Sequence, residues 1–228
     1  MVEKLIALLG VLLLAVQLNA KEVGVFKSEK EKVSYALGVE LARNLKKQAI
    51  DVDGETLMKG VRDGLSGKEM LLTEEGLQAT LSSLQAELRR KQEEAMRKVG
   101  EENRKAGDAF LQENKSKDGV VTLESGLQYQ IIKAGEGKKP GDGDSVECNY
   151  RGTLINGTEF DSSYKKGQPA TFMVKGGIKG FNEAIQLMPV GSKWKLFIPP
   201  QLAYGERGVG EVGPNATIIL EVELLAIK

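Results

Sequence analysis

The chain has 228 residues, 41% of them hydrophobic, which is enough for one large packed core or two smaller ones. Lysine plus arginine balances aspartate plus glutamate at 32 each, so no basic excess exists to neutralise phosphates, and nucleic acid is not an expected partner. With no histidine anywhere, Ser-His-Asp and Cys-His catalysis and any histidine-bearing metal site are excluded.

Residues 1–20 read as a cleavable secretory signal. Leu5 to Val16 is an apolar run of h-region length, Ala20 is a small residue at the cleavage point, and the run is short of the roughly 20 residues that span a bilayer. The expected destination is the cell envelope, periplasmic or associated with the outer membrane. Cys148 is the only cysteine, so no intrachain disulfide can form there, and its mid-strand position suits a small buried hydrophobe better than a reactive thiol.

Ser28, with Glu31 three residues on, opens a first helix by a capping box, and Val33, Leu37, Leu41 and Leu45 share one face of it. Asp53 caps a second helix with Leu57, Val61 and Leu65 on its stripe, and Gly67 closes it. Two such short helices cannot bury these stripes alone. They need each other, the next helix or a second copy of the chain. Thr73 caps a third helix carrying Leu77, Leu81, Leu84 and Leu88. Beyond Arg89 the sequence is charged on nearly every side, and the recurring Glu and Lys partners at helical spacing predict a solvent-bridging helix, with a frayed linker the alternative that Gly100 and Gly107 leave open. If continuous from Glu74 to Glu113, this helix is roughly 60 Å long.

All six prolines, the only tryptophan and most glycines lie at or after Gly119. The composition therefore changes from a helical half to a turn-rich β half near Asn114 to Glu124. Val146 to Ser163 reads as two strands joined at Asn156-Gly157, with Tyr150 on one and Phe160-Asp161 on the other. Phe181, Ala184, Ile185 and Met188 form one face of a short helix, entered through Gly176, Gly177 and Gly180. Lys193 to Ile198 alternates as a strand and stops at Pro199-Pro200. A glycine-rich loop follows Tyr204, and Thr217 to Ile227 is the final strand. Taken singly, an acid beside two aromatics is more often a hydrogen-bonded structural group than a ligand pocket.

In order along the chain, YRGTLINGTEFDSS, the Ile178-Lys179-Gly180-Phe181 turn, MPVGSKWKLFIPP, LAYGERG and GPNATIILEVELL resemble an FKBP-type peptidyl-prolyl isomerase domain over residues 125–228. SYALGVELARNLKKQAIDVD and AGDAFLQENKSKDGVVTLESGLQYQII resemble the helical region of its macrophage infectivity potentiator subgroup. The resemblance implies an α+β fold: an N-terminal helical dimerisation region (21–72), a long connecting helix (73–114) and an antiparallel sheet wrapped on a short helix (115–228). Two catalytic domains would stand apart about a client cleft.

The implied activity is rotation of X-Pro bonds, opposed by an amide-resonance barrier of roughly 18–20 kcal/mol. Twisting the amide lowers its polarity, so an apolar cup that strips water and fits the twisted form lowers the barrier without nucleophile, metal or cofactor. The resemblance assigns Phe181 to the floor and Phe160 and Tyr150 to the walls. Tyr204 would donate to a substrate carbonyl and Asp161 would orient polar groups at the rim. Ile178, Val209, Val212 and Leu220 would complete the substrate site. Phe181 stands where the family commonly has Trp, Leu220 where it has an aromatic, and Lys166 where it has Arg, a loss of bidentate pairing. Expected partners are proline-containing unfolded or folding polypeptides, a second copy of the chain, and macrolide inhibitors. The competing expectation is a dimeric holdase-type chaperone whose FKBP domain binds with little turnover.

Overall fold

The computed structural model describes residues 25–67 and 69–228. The signal sequence expected at 1–20 lies outside them. The chain divides into two compact units, one ending at Leu77 and one beginning at Gln78.

The first unit holds α1 (Glu29–Lys47), α2 (Gly54–Ser66) and the start of α3 (Glu74–Asn114). Three side chains cap these helices. Ser28 Oγ accepts from Glu31 N at 3.2 Å, Asp53 Oδ1 from Thr56 N at 2.7 Å, and Thr73 Oγ1 from Gly76 N at 3.1 Å. The capping box at α1 is offset by one residue: Glu31 Oε2 takes the amide of Lys27 rather than that of Ser28. Gly67, at φ 62°, ends α2 in the left-handed conformation that a Cβ disfavours. Neither α1 nor α2 contains a buried residue. Leu37 is 67% exposed and Leu65 85%, so the apolar stripes read from the sequence exist but are left largely uncovered by the described residues.

In the second unit a seven-stranded antiparallel sheet comprises β1 (Val120–Thr122), β2 (Gln128–Lys133), β3 (Ser145–Leu154), β4 (Glu159–Ser162), β5 (Ala170–Met173), β6 (Lys193–Ile198) and β7 (Ile218–Ile227). Its order is β1-β2-β6-β7-β3-β4, with β5 on the first half of β3. The long β7 is central and pairs with β6 and β3, setting Tyr150 opposite Val222 and Gly152 opposite Leu220. The two-residue alternation puts Val146, Cys148 and Tyr150 on the same face as Trp194, Leu196, Ile198, Val222 and Leu224. Against that face lies α5 (Lys179–Leu187), whose Phe181, Ala184 and Ile185 are buried, as is Met188 just beyond it. Each fully buried aliphatic side chain here contributes about 1.5–3 kcal/mol. Gly180 allows the close approach, since a Cβ there would stand 2.5 Å from Ile198 Cγ2.

The far end of α3 corrects the reading of a helix polar all round. It is continuous through Gly100 and Gly107, and both are buried. Residues Gly100 to Asn114 dock on the other face of the sheet, where Phe110 packs on Phe197 at 5.8 Å between ring centroids. Asn114 Nδ2 donates to Gln128 Oε1 at 3.0 Å, and Gln128 Nε2 to the Leu111 carbonyl at 2.9 Å. The docking uses glycines and amides in place of leucines, so hydrophobic periodicity does not reveal it.

Candidate active site

The hairpin motif explains itself locally. Gly157, at φ 87°, closes the turn from Leu154, and Asn156 Oδ1 accepts from Thr158 N at 3.0 Å. After β4 the chain turns into α4 (Ser163–Lys166). Ser162 Oγ caps that turn by accepting from Tyr164 N at 3.2 Å, and Ser163 Oγ accepts from Tyr150 N at 2.9 Å. The two serines thereby fix the strand carrying Phe160 and Asp161 against the strand carrying Tyr150. A Cβ on Gly152 would stand 2.7 Å from Phe160 Cζ, so the bare backbone of β3 is what lets the Phe160 ring lie across it.

These elements enclose a cavity of about 130 Å³. Tyr150, Leu220 and Val222 contribute from the sheet, Phe160 and Asp161 from β4, Phe181 and Ile178 from the start of α5, and Tyr204 from the segment after β6. Phe172 and Gly177 complete the lining; Gly177 stands at the helix entrance where a close backbone approach was expected, whereas Phe172 and Val222 were not expected. Phe172 links two of the predicted rings, meeting Tyr150 edge-on at 5.5 Å and Phe181 at 5.4 Å. Across the cavity Phe160 meets Tyr204 at 6.4 Å and 88°. Gly177 is pinned by Asn182, which accepts from its amide at 3.0 Å and donates to its carbonyl at 3.1 Å.

Val209 and Val212 do not reach the cavity, which corrects their expected place. Their backbones pair reciprocally, Val209 N to Val212 O at 2.8 Å and Val212 N to Val209 O at 3.0 Å. That tight turn points Val209 outward, 63% exposed, and Val212 into the core.

One acid-centred network sits at the rim. Asp161 Oδ2 accepts from the Tyr150 hydroxyl at 2.6 Å, and Oδ1 accepts from Lys166 Nζ at 2.7 Å and from Ser162 N at 2.8 Å. Partial burial pushes the Asp161 carboxyl upward, but the bonds from Lys166, Tyr150 and Ser162 outweigh it and hold the group below its ordinary range. Burial, then the bond to Asp161, raises the Tyr150 phenol. Lys166 is raised by its bonds to Asp161 and then Tyr150. Lys166 Nζ also donates to the Tyr150 hydroxyl at 2.9 Å, so a single ammonium joins both acceptors where bidentate pairing had been expected to be lost. Gly167, at φ 73°, ends α4 in the left-handed conformation, its amide donating to the Tyr164 carbonyl.

Tyr204 is raised by burial and by the Asp161 charge, and among the described residues nothing hydrogen-bonds its hydroxyl, which leaves it free for a ligand. Cys148 is fully buried and its thiol is pushed up to about 12 by that burial and by Glu147. Among the described residues no cluster of three or more His, Cys, Asp or Glu could hold a metal ion. At neutral pH the arrangement offers an apolar cup, one free phenolic donor and a fixed negative charge.

Residues 30–131 match the model of the domain amino terminal to FKBP-type peptidyl-prolyl isomerase, and residues 136–225 match the model of FKBP-type peptidyl-prolyl cis-trans isomerase. The chain is 48% identical to Outer membrane protein MIP of Legionella longbeachae, over 97% of this chain and 95% of that one. It is 49% identical to peptidyl-prolyl cis-trans isomerase Mip of Coxiella burnetii, over 89% and 88% respectively. Among solved structures, that of FkpA from Escherichia coli superposes with a TM-score of 0.72 at 38% identity, covering 89% of this chain and 98% of that one. With two family models spanning its length and relatives near half identity, the chain belongs to the FKBP-type peptidyl-prolyl cis-trans isomerases, enzymes that rotate the peptide bond preceding proline.

Proposed function

We propose that the aromatic cavity is where the prolyl bond turns. The reading rests on one observation: Tyr150, Phe160, Phe181 and Tyr204 face a common hollow with Asp161 at its rim. The proline ring sits on Phe181 between Phe160 and Tyr150, and the hollow has room for one small ring. Stripping water from the amide removes solvation that favours the planar, more polar ground state, so the twisted form gains relative to it. The Tyr204 hydroxyl donates to a substrate carbonyl. Asp161, ionised and bonded on both oxygens, orients the Tyr150 hydroxyl and contributes a fixed field rather than a proton. No covalent bond is made or broken. A protease-coupled or NMR exchange assay on a short X-Pro peptide tests this. Phe181→Leu and Tyr204→Phe should each lower kcat/KM, and unchanged rates in both would remove the cavity from the chemistry.

The second element of the reading is a homodimer made through residues 21–72, whose stripes along α1 and α2 are left largely uncovered by the described residues. An exposed apolar surface of this kind also supports the holdase reading, in which the helices engage unfolded clients while the sheet domain isomerises them. The expected signal sequence and the name of the Legionella relative support action in the cell envelope. Among the described residues no helix is long and apolar enough to cross a membrane. Suppression of aggregation of a reduced, unfolded client separates the two activities. A Phe181 variant that loses isomerisation and keeps suppression fits the division, whereas parallel loss of both contradicts it.

A further inference from the structure

We infer that the last turns of α3 are a brace for the active-site segment that carries Tyr204, with Asn103 and Gly107 as positioning residues for the reaction. The inference rests on the reading of Tyr204 as a donor to substrate. Asn103 Nδ2 donates to the Pro214 carbonyl at 2.8 Å, across more than a hundred residues of sequence. The next residue, Asn215, donates its amide to the Gly205 carbonyl at 2.9 Å, one residue beyond Tyr204. Asn215 holds φ 52°, in the left-handed region that asparagine enters more readily than most side-chain-bearing residues.

On either side of Asn103 the helix lies close against this segment. A Cβ on Gly100 would stand 3.1 Å from Asn215 Nδ2 and 3.4 Å from Pro214 Cβ, and a Cβ on Gly107 would collide with the Thr217 hydroxyl. Thr217 Oγ1 is buried without a hydrogen-bond partner, a cost accepted at the point of closest contact. Glycines at 100 and 107 lie two helical turns apart on one face, with Asn103 between them.

The opposite end of the path explains why such a brace matters. Within the cavity the Tyr204 ring has one aromatic neighbour, Phe160, and its hydroxyl has no bond among the described residues. Its position is therefore set by packing on the core and by the backbone of its own segment, with no polar anchor on the ring. That segment, from Ala203 to Gly213, is rich in glycine, with Gly205, Gly208 and Gly210 all at positive φ, so it does not define one conformation unaided. Asn103 to Pro214, then Asn215 to Gly205, is a hydrogen-bonded connection from the helix to the residue after Tyr204.

The test compares full-length variants in a peptide isomerisation assay and by the 19F resonance of 3-fluorotyrosine at Tyr204, assigned with Tyr204→Phe. Asn103→Asp keeps the side-chain shape but turns a donor into a charge facing a carbonyl, and Asn103→Ala removes the donor without adding charge. Asn114→Ala breaks a different contact of α3, the one to Gln128, which does not touch residues 213–217. Both Asn103 variants should shift the Tyr204 resonance and lower kcat/KM by roughly three- to tenfold, with Asn114→Ala changing neither. An unshifted resonance in both Asn103 variants overturns the inference, and so does an equal loss of kcat/KM in Asn114→Ala. A shifted resonance with unchanged rate, in a protein whose Tyr204→Phe variant is also fully active, retires Tyr204 from the chemistry and leaves the brace standing.

Discussion

Lys166 Nζ lies 2.7 Å from Asp161 Oδ1 while donating to the hydroxyl that Tyr150 extends to the other oxygen of the same carboxylate. One ammonium thus closes a three-membered network, and the two charged side chains remain 56% and 42% exposed. Solvent at that exposure screens the ion pair, so its stabilising value is small and its effect is mainly orientation. Lys166→Met should therefore leave the midpoint of urea unfolding nearly unchanged while lowering kcat/KM measurably. Lys166→Arg should restore the rate. Loss of stability in proportion to loss of rate would contradict an orienting role.

The same network sets a pH profile. The Asp161 carboxyl is held below its ordinary range, and the Tyr150 and Tyr204 phenols and Lys166 are held above theirs. No group of the cavity then titrates between about pH 5 and pH 9, and kcat/KM should be flat across that window. Asp161 binds its proton more weakly folded than unfolded. Its contribution to stability is therefore complete above about pH 4 and is lost as pH falls through the lower folded value. A bell-shaped profile centred near neutrality would show that another group carries the proton traffic.

Gly152 offers a steric test. A Cβ there would meet Phe160 Cζ at 2.7 Å and Leu220 Cδ2 at 3.1 Å, and the ring or the strand must shift. Gly152→Ala should cost about 1–3 kcal/mol by overpacking and lower activity on peptides as the Phe160 wall moves. Chemical denaturation and the peptide assay check the two parts separately.

The exposed stripe of α1 predicts an assembly. Leu37→Glu combined with Leu41→Glu places charge on the face read as the dimer interface. The unaltered mature protein should sediment as a dimer and the double variant as a monomer, with peptide isomerisation retained because the cavity lies wholly within the second unit. A dimer that survives both charges would move the interface elsewhere.

The parts of this architecture legible in the sequence are those set by local chemistry. Ser28, Asp53 and Thr73 announced helix starts, and the Phe181, Ala184, Ile185, Met188 spacing announced the face that meets the sheet. What escaped depends on contacts between distant segments. Phe172 lies on a strand of only four residues and becomes a wall because β5 pairs with the start of β3, opposite Val146. Alternation of Ala170, Phe172 and Val174 was the available signal. Gly152 and Gly177 matter for the rings they admit, which only the folded chain brings near. The docked end of α3 escaped for a different reason, because Asn103, Gly107 and Asn114 carry none of the apolar periodicity by which packing is ordinarily read.

The placement of β7 at the centre of the sheet has a consequence for how the cavity is assembled. Leu220 and Val222, both lining residues, belong to the last strand of the chain. Without β7, Tyr150 and Phe181 would lack the Leu220 and Val222 side of the cavity. The hollow is therefore complete only when β7 has paired with both β3 and β6.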